Sequence, residues 1–218
     1  AAGVRDDRIV VIRSAVDTGH TAKARSRAVL AKEFGIGDDD TAIAIVAQLI
    51  PRKGHRFLFE AMSRLADHPA NLRLVVFGNG VLEDELKRLV GALGLRDVVQ
   101  FAGYRSDLDD FLGSFDMLVH PALREGLGVA MLKAAAAALP VIAFDVAGAR
   151  EAVRNEVTGL LVPSTGSSLL ADAIARLASD PALRRKLGEN GLLRMREEFS
   201  IESMVDKHVQ TYAATINA

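Results

Sequence analysis

The chain has 218 residues, 50% hydrophobic and 25% charged, with a formal net charge of −1 and no cysteine. That is enough chain to bury a substantial core, and it carries no basic field of the kind nucleic-acid binders present. A disulfide scaffold and thiolate metal sites are excluded. No apolar run reaches transmembrane length and no signal-peptide pattern opens the chain, so a cytoplasmic protein is expected.

After a charged start, a short β-rich run at 9–12 leads into a polar segment to about Ser26, then a helix broken near Gly35-Ile36-Gly37. Short apolar strand candidates then alternate with helical patterns. Strand 42–47 precedes helix 57–65, 72–77 precedes 82–93, and 98–101 precedes a helical turn near 108–112. Strand 117–120 precedes an alanine-rich helix at 129–138, 141–144 precedes 149–153, and 159–162 precedes 168–178. Strands this short and continuously apolar are buried on both faces, and their alternation with helices predicts a parallel sheet. Asp180-Pro181 reads as the start of a helix to about Glu198, and Ser200 as the start of a last one to Ile216. The fold class expected is α/β, a Rossmann-like doubly wound parallel sheet of about six strands with a C-terminal helical tail.

Ligands of such sheets sit at the carboxyl ends of strands, where loops enter helices. Three loops meet that description: 47–54, Gly78-Asn79-Gly80 and the stretch 125–140, which opens at Glu125. In the last, Glu125, Gly126, Leu127, Gly128 and Val129 join a carboxylate and two glycines to a helix start, whose free N–H groups suit an anion. Without further context the same glycines also suit a plain tight turn. Lys53-Gly54 places an ammonium before another helix, where it meets a phosphate or simply solvent. Gly78-Asn79-Gly80 reads as a strand-to-helix turn. Asp38, Asp39 and Asp40, and the acids at 107, 109 and 110, read as loop and helix-start residues rather than metal ligands. His120, alone at a strand end, reads as structural.

Taken in order, the segments Q-L-x-P-x-K-G (48–54), L-V-V-x-G-x-G (74–80), V-x-F-x-G (99–103), the E-G-x-G stretch from Glu125, P-V-I-A (140–143) and T-G-L-L-V (158–162) form a connected pattern. It resembles the C-terminal domain of GT-B glycosyltransferases, of the glycosyltransferase family 4 kind. The resemblance runs from about residue 8 to the end. It implies a hinge strand and linker at 1–20 leaving a missing N-terminal domain, a Rossmann-like donor-binding domain at 21–198, and a crossover helix at 199–218. It further implies retaining transfer of a hexosyl-type sugar from a UDP-, GDP- or ADP-linked donor, with no metal and no other cofactor. Glu125 and Lys53 are then the catalytic residues, Glu125 on the donor-sugar hydroxyls and Lys53 on the phosphate. Gln48, Lys53, Gly126, Leu127, Gly128, Val129 and Lys133 line the donor and its phosphates, and Gly103, Tyr104 and Arg105 flank the nucleobase.

The chain departs from the resembled pattern at several positions. Ala47-Gln48 stands where the family carries Gly-Arg, and Ala138 stands where it carries glycine. Lys133, eight residues after Glu125, occupies the place of a glutamate that holds the ribose. An ammonium cannot accept from hydroxyls. Two readings of Lys133 stay open: its stem reaches back to replace the missing phosphate cation, or it is simply solvated. Two other functions also stay open, a degenerate domain kept as an interaction or regulatory module and half of a sugar-nucleotide epimerase.

Overall fold

The computed structural model describes residues 3, 5, 8–19, 26–164 and 166–216. Six parallel strands form one sheet in the order β3-β2-β1-β4-β5-β6. They are β1 (Asp40–Val46), β2 (Asn71–Phe77), β3 (Val99–Gly103), β4 (Met117–His120), β5 (Val141–Phe144) and β6 (Gly159–Val162). The helices are α1 (Arg27–Phe34), α2 (His55–Arg64), α3 (Glu83–Ala92), α4 (Val129–Ala136), α5 (Ala147–Ala152), α6 (Ser167–Ser179), α7 (Pro181–Glu198) and α8 (Ile201–Ile216). The expected turn near 108–112 is a pair of 3-10 turns, Leu108–Asp110 and Leu112–Ser114.

Strand alternation sorts the core into two layers of different grain. Ile43, Ile45, Leu74, Val76, Val119 and Ile142 face α2, α3 and α6 through Leu58, Met62, Leu86, Val90, Leu170 and Ile174. The intervening Ala42, Ala44 and Ala143 face the other way, in a cluster with Leu132 and the alanines of α4 and with Met195 of α7. Small residues on both surfaces leave room for the backbones of α4 and the sheet to approach. Each fully buried Leu, Ile or Phe contributes about 1.5–3 kcal/mol.

The tail is fixed by polar contacts as well. Asp180 caps α7 by accepting from Leu183 N–H at 2.8 Å, with Pro181 at the first helical position. Arg194 of α7, 7% exposed, donates to the carbonyls of Glu151 and Ala152 at 2.7 and 2.9 Å, satisfying the end of α5.

The β-rich run at 9–12 forms no strand. Ile9, Val10 and Val11 are exposed, and the nearest pairing is a single bridge between Val16 and Ser200. β-branched residues favour extended backbone but need a neighbouring strand to pair, and none lies beside them among the described residues. The expected boundary at 20–21 falls outside the described residues.

Candidate functional site

The strand order reverses between β1 and β4, and the two loops leaving their carboxyl ends meet there. The β1 loop passes through a 3-10 turn at Pro51–Lys53 and opens α2; the β4 loop opens α4 after Gly128. They are joined through backbone, Leu123 N–H donating to the Arg52 carbonyl at 2.9 Å. The start of α5 presses on the second loop, where a Cβ on Gly148 would lie 2.3 Å from the Gly126 carbonyl oxygen. A glycine is required there by the close approach.

At this junction three side chains converge. Glu125 Oε2 accepts from Lys53 Nζ at 2.5 Å and lies 2.8 Å from His120 Nε2, while Oε1 accepts from the Gly126 N–H at 3.2 Å. The ionised carboxylate only accepts, so His120 carries its hydrogen on Nε2. The side chains of Lys53, Glu125 and His120 are 12, 10 and 3% exposed. The hydrogen bond from His120, and then that from Lys53, pull the Glu125 pKa down to about 2 against the opposing effect of burial. Glu125 is therefore a fixed anion at any physiological pH. Behind it, His55 opens α2 with both ring nitrogens buried and unpartnered. Burial, with the nearby charges of His120 and Lys53, lowers its pKa to about 4 and keeps it neutral.

Past Glu125 the start of α4 has no side-chain cap; Met131 N–H donates to the Gly128 carbonyl at 2.8 Å, and Val129 before it is exposed. Across the sheet, a cavity of about 400 Å³ opens at the ends of β1, β2 and β3, lined by Gln48, Gly78, Asn79, Tyr104, Arg105 and Leu108 among others. The Gly78-Asn79-Gly80 turn shapes it, Asn79 Oδ1 accepting from Tyr104 N–H at 3.1 Å and Gly78 N–H donating to Gly103 O at 2.8 Å.

The expected residues thus divide into two groups at the carboxyl ends of the strands. Lys53, Glu125, Gly126, Leu127, Gly128 and Val129 come together at the junction; Gln48, Gly103, Tyr104 and Arg105 gather around the cavity. Lys133 joins neither group: its ammonium donates to Asp109 Oδ2 at 2.6 Å. The acids at 107 and 109 are ion-pair partners rather than helix caps. Asp107 makes no capping bond and is held by both sides of the Arg105 guanidinium at 2.7 Å. His120, read from the sequence as structural, is a member of the junction. Its position directly before Pro121 and five residues before Glu125 was the available signal. Among the described residues no group of three His, Asp or Glu is placed to hold a metal ion.

Residues 26–194 match the family described as glycosyl transferases group 1. The chain belongs to that family. It is 33% identical over 196 residues to the D-inositol 3-phosphate glycosyltransferase of Actinosynnema mirum, covering 85% of this chain and 47% of that protein. It is 29% identical over 188 residues to the alpha-D-kanosaminyltransferase of Streptomyces kanamyceticus, covering 85% of this chain and 48% of that one. The chain thus spans about half the length of these curated relatives. In fold it is similar to Anabaena HepE, solved in complex with UDP, with a TM-score of 0.88, 23% identity and coverage of 97% of this chain and 59% of that one. The group 1 domain here is the Rossmann-like sheet with its helical C-terminal end.

Proposed function

We propose that the chain is the donor-binding half of a retaining glycosyltransferase that moves a hexosyl-type sugar from a nucleoside diphosphate to an acceptor. The observation that carries this is the Lys53–Glu125 pair, closed at 2.5 Å beside the uncapped start of α4. A nucleotide sugar needs a base pocket, an anion site and a polar group for sugar hydroxyls, in that order along its length. The cavity at Tyr104 and Arg105, the α4 start with Lys53, and the anchored Glu125 offer those three. Departure of the diphosphate builds negative charge, which fixed N–H dipoles and one ammonium stabilise without reorganisation and without a metal ion. Glu125 is ionised and saturated on Oε2; its Oε1 takes only the long 3.2 Å bond from the Gly126 N–H and has a second lone pair for a sugar hydroxyl at that end of the donor. HepE has also been solved with UDP-glucose, which supports a nucleotide-sugar ligand for this cleft.

The acceptor, in this reading, is presented by another half. α8 buries none of its residues, and Ile201, Val205, Val209, Tyr212 and Ile216 stand exposed at helical spacing along it. An apolar stripe of that length suits coverage by a further domain. No described helix is long and apolar enough to cross a membrane, and the proposed location is the cytoplasm.

The test is calorimetry with UDP, GDP and ADP in the presence of Mg²⁺ and of EDTA. Binding of at least one diphosphate that survives EDTA is expected, with no sugar transfer by this half alone. Failure of all three to bind, or binding abolished by EDTA, refutes the reading.

A further inference from the structure

Resting on that reading, we propose that Asp109 is the acceptor for the ribose hydroxyls of the bound nucleotide and that Lys133 is its positioning residue. A nucleotide whose base fills the cavity and whose diphosphate lies at the α4 start must carry its ribose between them. Asp109 occupies that interval by connectivity: it follows Leu108, which lines the cavity, and it is bonded at 2.6 Å to Lys133 in the second turn of α4. The pair therefore spans from the base end of the cleft to the helix that receives the phosphates.

Three other acids of the region already hold protein partners. Asp107 and Glu33 are both taken by Arg105, and Glu125 by Lys53, His120 and the Gly126 N–H. Asp109 gives Oδ2 to Lys133, while its Oδ1 is enclosed with no hydrogen-bond partner. Its side chain is one-third exposed. A carboxylate oxygen accepts more than one hydrogen bond, so Oδ2 keeps acceptor capacity beside the Lys133 ammonium. Two ribose hydroxyls are donors that a carboxylate accepts and an ammonium cannot. Lys133 then fixes where that carboxylate stands, and its own charge is consumed in doing so rather than directed at a phosphate.

The experiment compares UDP, GDP and ADP with their 2′,3′-dideoxy counterparts on the chain and on Asp109→Ala, Asp109→Asn, Lys133→Met and Lys133→Arg, each checked by circular dichroism. The expected result is a preference of about tenfold for the ribose form, the scale of one or two hydrogen bonds to a charged group. Asp109→Ala should bring that ratio to about one, Asp109→Asn and Lys133→Met should lower it, and Lys133→Arg should restore it. A ratio unchanged by Asp109→Ala in a folded variant overturns the proposal. So does a Lys133→Met variant that weakens both forms equally, the mark of a phosphate contact. If none of the diphosphates binds, the donor-site reading fails and this inference falls with it; if they bind with an unaltered ratio, this inference alone fails.

Discussion

Gly54 and Pro121 touch backbone to backbone. Gly54 has φ +70°, and a Cβ added there would stand 1.9 Å from the Pro121 carbonyl oxygen. This contact brings the loop bearing Lys53 against the loop bearing Glu125, and neither partner is a side chain that could move aside. Gly54→Ala should therefore cost about 2–5 kcal/mol, from left-handed strain plus overpacking, and should abolish nucleotide binding in whatever remains folded. Gly126→Ala is the contrast, since a Cβ there meets open space. Its thermal stability should stay within about 0.5 kcal/mol of the parent while diphosphate affinity falls, because the methyl crowds the approach to the α4 start. Equal melting temperatures for the parent and Gly54→Ala would show that the loops are not clamped this way.

Ala138 carries strain that a glycine would not. Its φ is +53°, in the left-handed region, and α7 closes over it so tightly that a Cβ on Gly188 would lie 2.1 Å from the Ala138 carbonyl oxygen. Relief of the side-chain strain is worth about 1–2 kcal/mol, offset by about 0.5–1 kcal/mol from the greater freedom of glycine in the unfolded chain. Ala138→Gly should thus stabilise by roughly 0.5–1 kcal/mol and raise the melting temperature by about 1–3 °C. A lower melting temperature would mean the residue is not strained.

Buried His55 should set an acid limb of the stability curve. Its pKa is lowered from the ordinary 6.5 to about 4 in the folded state. The unfolded chain therefore takes up a proton first, and stability falls as pH drops from about 6.5 towards 4, then levels. The limiting loss is on the order of 3 kcal/mol. His55→Phe keeps an aromatic ring beside Phe59 and removes the titration, so its stability relative to the parent should improve steadily across that window. Chemical denaturation at pH 7, 6, 5 and 4 reads the difference; a constant gap would assign the limb to other groups.

The sheet was readable from sequence because each strand is a brief apolar run set off by helix patterns, and β4, β5 and β6 occupy the expected residues. Lys53 and Glu125 were readable because both sit at strand-to-helix loops, where the fold places ligands. His120 was not, because a histidine at a strand end gains meaning only when the chain turns back and sets Glu125 against it. Lys133 and Asp109 are 24 residues apart, and no local spacing rule joins a helix residue to a 3-10 turn across the cleft. The same holds for His55, whose missing partners are a property of its burial and not of its neighbours in sequence.

Lys53 faces a competition that can be measured. Its ammonium is held by Glu125 at 2.5 Å, and a bound diphosphate must share or take it. Glu125→Gln removes the competing charge, so UDP should bind equally or up to about tenfold more tightly. The same change weakens acceptance from sugar hydroxyls, so the advantage of UDP-glucose over UDP should shrink by about 1–2 kcal/mol. Lys53→Met leaves the Glu125 anion beside the phosphates and should weaken UDP and UDP-glucose together by roughly 10–100-fold, with free uridine little affected. pH separates the ligand effect from a fold effect. The Glu125 pKa is lowered from 4.5 to about 2, so its contribution to stability is complete above pH 4.5 and disappears as pH falls through 2. Glu125→Gln should accordingly be less stable than the parent at pH 7, and the two curves should converge towards pH 2. Matched titrations of uridine, UDP and UDP-glucose, or of the guanosine and adenosine sets where those bind, decide the roles. Should Lys53→Met leave UDP affinity intact, or Glu125→Gln shift UDP and UDP-glucose by the same factor, the division of labour between ammonium and carboxylate is wrong.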